Sequence, residues 1–339
     1  MTKTAQISVL MSVYNAEAFL LNAIESVLAQ TYRSFEFIIV NDGSKDASLS
    51  LIERYARIDD RIVVISRENR GLIYSLNEAA TLAKAPYLAR MDADDICHPN
   101  RFQKQIDFMQ ANTDVVALGT WATYINKDGN ATGLLGRGPV GKENVDKTYS
   151  TGGRFIYHPT LMMRRVAFES AGGYRAPFKA AEDLDLLVRL YRLGRLDNLA
   201  EDLLEYRVHG ANISVKEILY QEFMGALIFE LAYEFDKTGN DHSVILSSPP
   251  TLETISALVP IQDIKSRIIA RMINPLFVGD PIAMAGDGFF LAIDEIKRLK
   301  NSTNRVEVNK AKALAWIAAK PLIKKLEFGR AYRMLKLLW

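Results

Sequence analysis

Cysteine is almost missing: the 339-residue chain holds one, Cys97, so no internal disulfide can form. A lone thiol fits a reducing compartment. Long apolar runs are missing too. A membrane-crossing helix needs about 18 or more uncharged apolar residues in a row. The nearest stretch, Pro275 to Ile293, is broken by Asp280 and Asp287. The opening MTKTAQISVLMSVYN merges into a strand pattern, without the apolar core and small-residue cleavage site of a secretory signal. These absences lead us to expect a cytoplasmic protein. Internal repeats and low-complexity segments are also lacking. With a net charge of +2, no nucleic-acid partner is expected.

Apolar residues make up 49% of the chain and charged residues 24%, an ordinary globular balance. A chain of this length buries a sizeable core without disulfides. Its charge is unevenly spread. From Lys310 to Trp339 there are eight Lys/Arg and one acid, Glu327. Within 311–339, Leu314, Ile317, Leu322, Ile323, Leu326, Leu335 and Leu338 fall near helical spacing, interrupted by Pro321 and Gly329. Such a segment lies on an anionic membrane surface or packs on the protein's own core. The first alternative would make the protein peripheral on the inner face of the cytoplasmic membrane.

Hydrophobic periodicity gives alternating elements. Strands are expected at Ile7–Val13, Phe35–Val40, Ile62–Ile65 and Pro86–Met91. Helices are expected at Glu17–Gln30, Asp46–Arg57, Gly71–Ala83 and Pro99–Ala111. That alternation predicts an α/β, Rossmann-like fold with a mainly parallel sheet flanked by helices. Val115–Asn126 reads as extended, and the glycine-rich 133–153 segment as a mobile loop. After about residue 215 the pattern is helical, so the expected domains are 1–215 and 216–339.

Open parallel sheets bind ligands beyond the carboxyl ends of their strands. Two polar motifs follow strands directly, Asn41-Asp42-Gly43-Ser44 and Asp92-Ala93-Asp94-Asp95. They should therefore share one edge. Clustered carboxylates repel unless a cation or donor groups neutralise them, and oxygen ligands suit Mn²⁺ or Mg²⁺. The alternative is a solvated acidic loop capping the helix near Pro99. Asn41 to Ser44 is either a tight turn or a nucleobase contact through Asp42. Glu182-Asp183 opens a helix, where acids complement the dipole, or supplies a general base. His209, with Arg207 close by, is a structural histidine or a metal or diphosphate contact. His158 precedes Pro159 in a turn, or faces an acceptor.

Taken in order, these motifs resemble family 2 glycosyltransferases over about residues 5–215. The matching segments are Ser12-Val13-Tyr14-Asn15, Phe37 to Ser44, Asn69-Arg70-Gly71-Leu72, Arg90 to Asp95, Gly172-Gly173-Tyr174 with Glu182 to Leu186, and Tyr206 to Ser214. The resemblance implies a GT-A fold and an inverting, metal-dependent transfer. The sugar would move from a nucleotide-sugar donor, a UDP-sugar, to a glycan or lipid-linked glycan in cell-envelope polysaccharide synthesis. It implies Tyr14, Asp42 and Asp92 at the nucleotide, Asp94 and His209 at the metal, and Asp183 as catalytic base. Glu182, His158 and Arg207 are acceptor or diphosphate candidates. Asp95 is read as a helix cap. One rival is a nucleotidyltransferase making sugar nucleotides. Its glycine-rich phosphate loop would fall where Tyr14-Asn15-Ala16-Glu17 stands. The other is a non-catalytic nucleotide- or sugar-binding protein at the membrane.

Overall fold

The computed structural model describes residues 5–209, 218–279 and residue 297. The basic 311–339 segment lies outside the described residues. The chain divides into two compact units, Met1–Gly210 and Ala211–Trp339.

The first unit is built on one nine-stranded sheet. Its strands are β1 Ile7–Val13, β2 Phe35–Asp42, β3 Ile62–Arg67, β4 Tyr87–Arg90, β5 Ile96–Cys97, β6 Val115–Asn126, β7 Ala131–Gly136, β8 Met162–Arg164 and β9 Arg195–Val208. The order is β3-β2-β1-β4-β8-β6-β9-β5, with β7 paired to β6. Strands β3, β2, β1 and β4 are mutually parallel. Beyond β4 the sheet is mixed: β8 runs antiparallel to both neighbours, while β6 and β9 pair in parallel. The helices are α1 Glu17–Leu28, α2 Ser48–Ala56, α3 Leu72–Leu82, α4 Arg101–Ala111, α5 Lys142–Thr151, α6 Arg165–Ala171 and α7 Glu182–Tyr191.

The alternation legible in the sequence builds the parallel half. β1 is apolar because it is buried on both faces: Ile7, Val9, Leu10, Met11 and Val13 are all sealed. Leu20, Ala23, Ile24 and Val27 of α1 cover one side at helical spacing. That helix lacks a capping side chain of its own at Ala16. Its first amides are satisfied instead by the next crossover: Ala16 N–H donates to Ser48 Oγ at 3.0 Å and Glu17 N–H to Asp46 Oδ2 at 3.0 Å. The loops after β1 and β2 are thereby laced together at the carboxyl edge of the parallel strands.

The 133–153 segment departs from expectation. It contributes to β7 and forms α5; Gly136, Gly138 and Gly153 serve close approach, while Gly133, Gly141 and Gly152 supply positive φ. A Cβ on Gly138 would lie 2.7 Å from Asn198 Nδ2 and 2.8 Å from the Phe155 carbonyl. Gly119 of β6 is equally confined, with Asn198 Oδ1 only 2.2 Å and Ile156 Cγ2 2.6 Å from such a Cβ. Asn198 cannot yield, because its amide donates to the Pro139 and Phe155 carbonyls at 2.7 and 2.9 Å. Gly119→Ala is therefore expected to destabilise the fold by about 1–3 kcal/mol, as overpacking does. A melting temperature equal to wild type would contradict that packing.

The second unit contains α8 Ile218–Thr238, α9 Ile255–Leu258 and α10 Ile264–Gly279. Phe223, Met224, Leu227 and Ile228 of α8 are buried. Its buried Glu230 pairs with Arg267 Nε at 2.5 Å and with Arg271. Among the described residues, no helix is long and apolar enough to cross a membrane.

Candidate active site

Parallel register aligns the two polar motifs. β1 is flanked by β2 and β4, with Val13 opposite Asn41 and Leu10 opposite Arg90. Both strands therefore deliver their following loops to one edge of the sheet. Asp42 ends β2 and is 2% exposed. Its carboxylate accepts the Arg70 and Gly71 amides at 2.8 and 2.9 Å and pairs with the Arg67 guanidinium. Three of its four lone-pair directions are thus used. Tyr14 is 53% exposed in the loop after β1. Beside it, Asn15 has a φ of 50°. Its carbonyl oxygen Oδ1 accepts the Lys45 amide at 2.8 Å, which ties the Tyr14 loop to the Asp42 loop.

The Asp92 to Asp95 segment bridges β4 and the two-residue β5. β5 pairs antiparallel with β9, Ile96 opposite Glu205. That pairing brings the end of β9 beside the aspartates. His209 Nε2 lies 2.9 Å from Asp94 Oδ2. The His209 ring packs on Phe19 of α1, with centroids 4.8 Å apart. Arg207 lies against the same loop. Its backbone N–H donates to Asp95 Oδ1 at 2.8 Å. Its guanidinium donates to the carbonyls of Asp94, Asn126 and Lys127 at 2.8, 3.1 and 3.2 Å. Buried and so engaged, Arg207 braces the aspartate loop against the β6–β7 turn. Asp95 also differs from expectation. It is 1% exposed, and Asn100 occupies the cap position of α4.

Ligand atoms of Asp92, Asp94 and Asp95 lie within 4.8 Å of one another. Burial first, then the charge of Asp92, raises the Asp94 carboxyl above its ordinary range, against the pull of His209. Asp95 is pushed well up by burial and by both neighbouring carboxylates. Its Oδ2 is buried with no hydrogen-bond partner. A buried orphan acceptor beside two repelling carboxylates fits a divalent cation, which would satisfy the one and neutralise the others. Asp92 is held by an ion pair with Arg90, itself 3% exposed at the end of β4.

Glu182 and Asp183 form the first turn of α7. Asp183 Oδ1 accepts the Leu184 amide at 2.7 Å. Burial raises the Asp183 carboxyl, while the charges of Arg154 and Arg90 oppose the shift. Glu182 is pushed up to about 7 by burial and then by the Asp183 charge. His158 Nε2 lies 2.7 Å from Tyr174 Oη. Burial and the Arg90 charge drive His158 well below its usual range, so the ring is neutral. Tyr174 is raised by burial and lies in the field of Arg90, Asp183, Glu182 and Asp92. Arg90 and Tyr174 thus interact electrostatically with acids of both the aspartate loop and the first turn of α7. Sequence reasoning assigned neither of them a role. Their only signal was the position of Arg90 two residues before Asp92 and of Tyr174 after Gly172-Gly173.

Known proteins agree with this architecture. A family model described as Glycosyl transferase family 2 matches residues 8–172. The O-antigen biosynthesis glycosyltransferase WbnJ of Escherichia coli is 33% identical over 220 residues, covering 64% of this chain and 85% of that protein. An uncharacterised glycosyltransferase of Haemophilus influenzae is 33% identical over 218 residues, 61% of this chain and 67% of its own. Among solved structures, residues 1–349 of S. aureus TarS, in complex with UDP, superpose with a TM-score of 0.56 at 16% identity, covering 98% of this chain and 90% of that one. A mannosyltransferase from Pyrobaculum calidifontis, in complex with GDP-Man and Mn²⁺, gives a TM-score of 0.51 at 15% identity, with 96% and 89% coverage. At these identities the structural likeness is one of fold, and that fold is GT-A. With a family match from β1 through α6 and relatives above 30% identity across most of their own length, this chain belongs to glycosyltransferase family 2.

Proposed function

We propose that the protein is an inverting glycosyltransferase that moves a sugar from a nucleoside-diphosphate donor, a UDP-sugar, to a hydroxyl of a glycan or lipid-linked glycan. The observation that carries this reading is one buried cation serving two sets of acids: Arg90 pairs with Asp92 of the Asp92–Asp94–Asp95 cluster, which His209 adjoins, and its charge also acts on Glu182 and Asp183 at the start of α7. The TarS structures with UDP and with UDP-GlcNAc support a uridine donor. The O-antigen relative supports an envelope polysaccharide as the destination. The cytoplasm is the compartment where such donors are made, and an anionic membrane surface would present a lipid-linked acceptor.

In this reading Tyr14, Asp42 and Asp92 hold the nucleotide. Asp94, Asp95 and His209 would hold Mn²⁺ or Mg²⁺, which when bound neutralises the charge that develops on the leaving diphosphate. Asp183 takes the proton from the acceptor hydroxyl. The freed oxygen forms its bond to the anomeric carbon on the face opposite the nucleotide. The bond from that carbon to the diphosphate oxygen breaks, its electrons leaving with the nucleotide. One displacement inverts the anomeric centre. Arg90 holds Asp92, and its charge opposes the upward shift of the Asp183 carboxyl. His158 is bonded to Tyr174, and its imidazole is held well below its usual range by burial and the Arg90 charge.

Nucleotide release tests the proposal directly. The protein would be given UDP-Glc, UDP-GlcNAc, UDP-Gal and GDP-Man, each with Mn²⁺ and with excess EDTA. Release from at least one UDP-sugar, abolished by EDTA, is the expected result. No release from any of the four would overturn the assignment.

A further inference from the structure

Asn77 lies on α3, the helix whose first amide, at Gly71, feeds Asp42. Its side-chain amide grips the Tyr174 backbone twice. Asn77 Nδ2 donates to the Tyr174 carbonyl at 2.8 Å, and the Tyr174 N–H donates to Asn77 Oδ1 at 2.9 Å. Two opposed bonds fix both the place and the rotation of a peptide segment; one bond would leave it free to pivot. The approach is close. A Cβ on Gly173, whose φ is +68°, would sit 2.8 Å from Asn77 Oδ1. Glycine alone adopts that backbone and clears that contact without strain.

The other side of the same turn is held by α7. Arg175 Nε and Arg189 Nε donate to Asp185 Oδ2 at 3.0 and 3.1 Å. Arg189 also donates to the Ala171 carbonyl. Asp185 is 2% exposed, so releasing either guanidinium would leave a poorly compensated buried charge. Residues 171–175 thus form a rigid spacer, with α3 on one side and α7 on the other. α3 begins just after Gly71, whose amide Asp42 accepts, and Asp183 lies in the first turn of α7.

We propose that Asn77 is a positioning residue for the general base: through Tyr174 it sets where α7 presents Asp183 relative to the donor. The inference rests on the reading of Asp183 as that base. A misplacement of about 1 Å can cost about 10²-fold in rate, so the strut need move only slightly to be felt.

The test uses the full chain with Mn²⁺ and the UDP-sugar that turns over in the donor panel, water serving as acceptor. UDP release, UDP affinity by calorimetry and the melting temperature are measured together. Asn77→Ala is expected to lower kcat roughly 10- to 10²-fold, the scale of a small misplacement, with donor KM and UDP affinity unchanged. The acid limb of its pH–kcat profile also moves, which a simple loss of stability would not produce. Asn77→Asp keeps the acceptor for the Tyr174 N–H but sets an oxygen against its carbonyl. Arg175→Gln loosens the opposite side of the turn. Both should fall the same way, and they decide the matter if Asn77→Ala does not fold. Folded variants with wild-type kcat overturn the proposal, as does an equal loss of kcat and UDP affinity. Should Asp183→Asn release UDP as fast as wild type, the base reading fails and the proposal falls with it. Loss in Asp183→Asn alone, with the Asn77 and Arg175 variants fully active, removes only the strut.

Discussion

Asp183→Asn should lower sugar transfer by about 10²- to 10⁴-fold, the usual contribution of a positioned general base. UDP binding should stay at the wild-type value. The substitution keeps the size of the side chain and its acceptor oxygen toward the Leu184 amide, so the start of α7 is preserved. What it removes is the capacity to take a proton. The pH dependence follows from the carboxyl pair. Burial raises Asp183 above the ordinary carboxyl range, and Glu182 is pushed up to about 7. The base works only when ionised, so the wild-type rate rises with pH and its acid limb lies between that ordinary range and neutrality. The limb belongs to the pair, since the two carboxyls titrate together. The residual rate of Asp183→Asn should lose it. The same shift has a stability consequence. Carboxyls that titrate higher when folded favour the fold while protonated; that contribution is complete below the ordinary Glu value and is lost as pH rises through about 7. A folded Asp183→Asn variant with wild-type transfer at every pH would rule out the base assignment.

Asp94→Ala is expected to erase the dependence of UDP binding on Mn²⁺. Even outer partners of a metal site are typically worth about 10- to 10²-fold in affinity, so a direct ligand should cost at least that. The variant should bind UDP as weakly with Mn²⁺ as the wild type does in EDTA, and EDTA should change the variant no further. Calorimetry of UDP binding to both proteins, with and without Mn²⁺, provides the four values. A variant that still gains affinity from Mn²⁺ would move the cation away from Asp94. Stability should respond with the opposite sign. Asp94 is raised by burial and by Asp92, and Asp95 by burial and both neighbours. Without a cation the cluster is therefore self-repelling. Asp94→Asn should melt higher than wild type in EDTA, although it is the poorer ligand for the ion. A rise in melting temperature alongside lost metal response separates a destabilised site from a damaged fold.

Much of this was legible in the chain. β1, β2, β3 and β4 and the helices between them follow from local periodicity, because strands buried on both faces are apolar throughout and the covering helices show one apolar stripe. The motifs carrying Asp42, Asp92, Asp94 and Asp183 stand out because turn residues and acids interrupt that periodicity at element ends. The glycine-rich 133–153 segment misled for a definite reason. A glycine reads as freedom in sequence, yet Gly138 and Gly136 are there because Asn198, Phe155 and Tyr157 leave no room for a Cβ.

The amino-acid sequence by itself determined the order of elements, the parallel half of the sheet and the placing of acids at strand and helix ends. All of these depend on neighbours within a few residues. Tertiary structure alone decided what those acids meet. The antiparallel β5–β9 pairing brings His209 to Asp94 and turns Arg207 into a brace, across more than a hundred residues. The Asn77–Tyr174 grip and the Arg175–Asp185–Arg189 cluster tie the donor side to the base. Such contacts are specified by strand register and helix packing, and no local pattern encodes either.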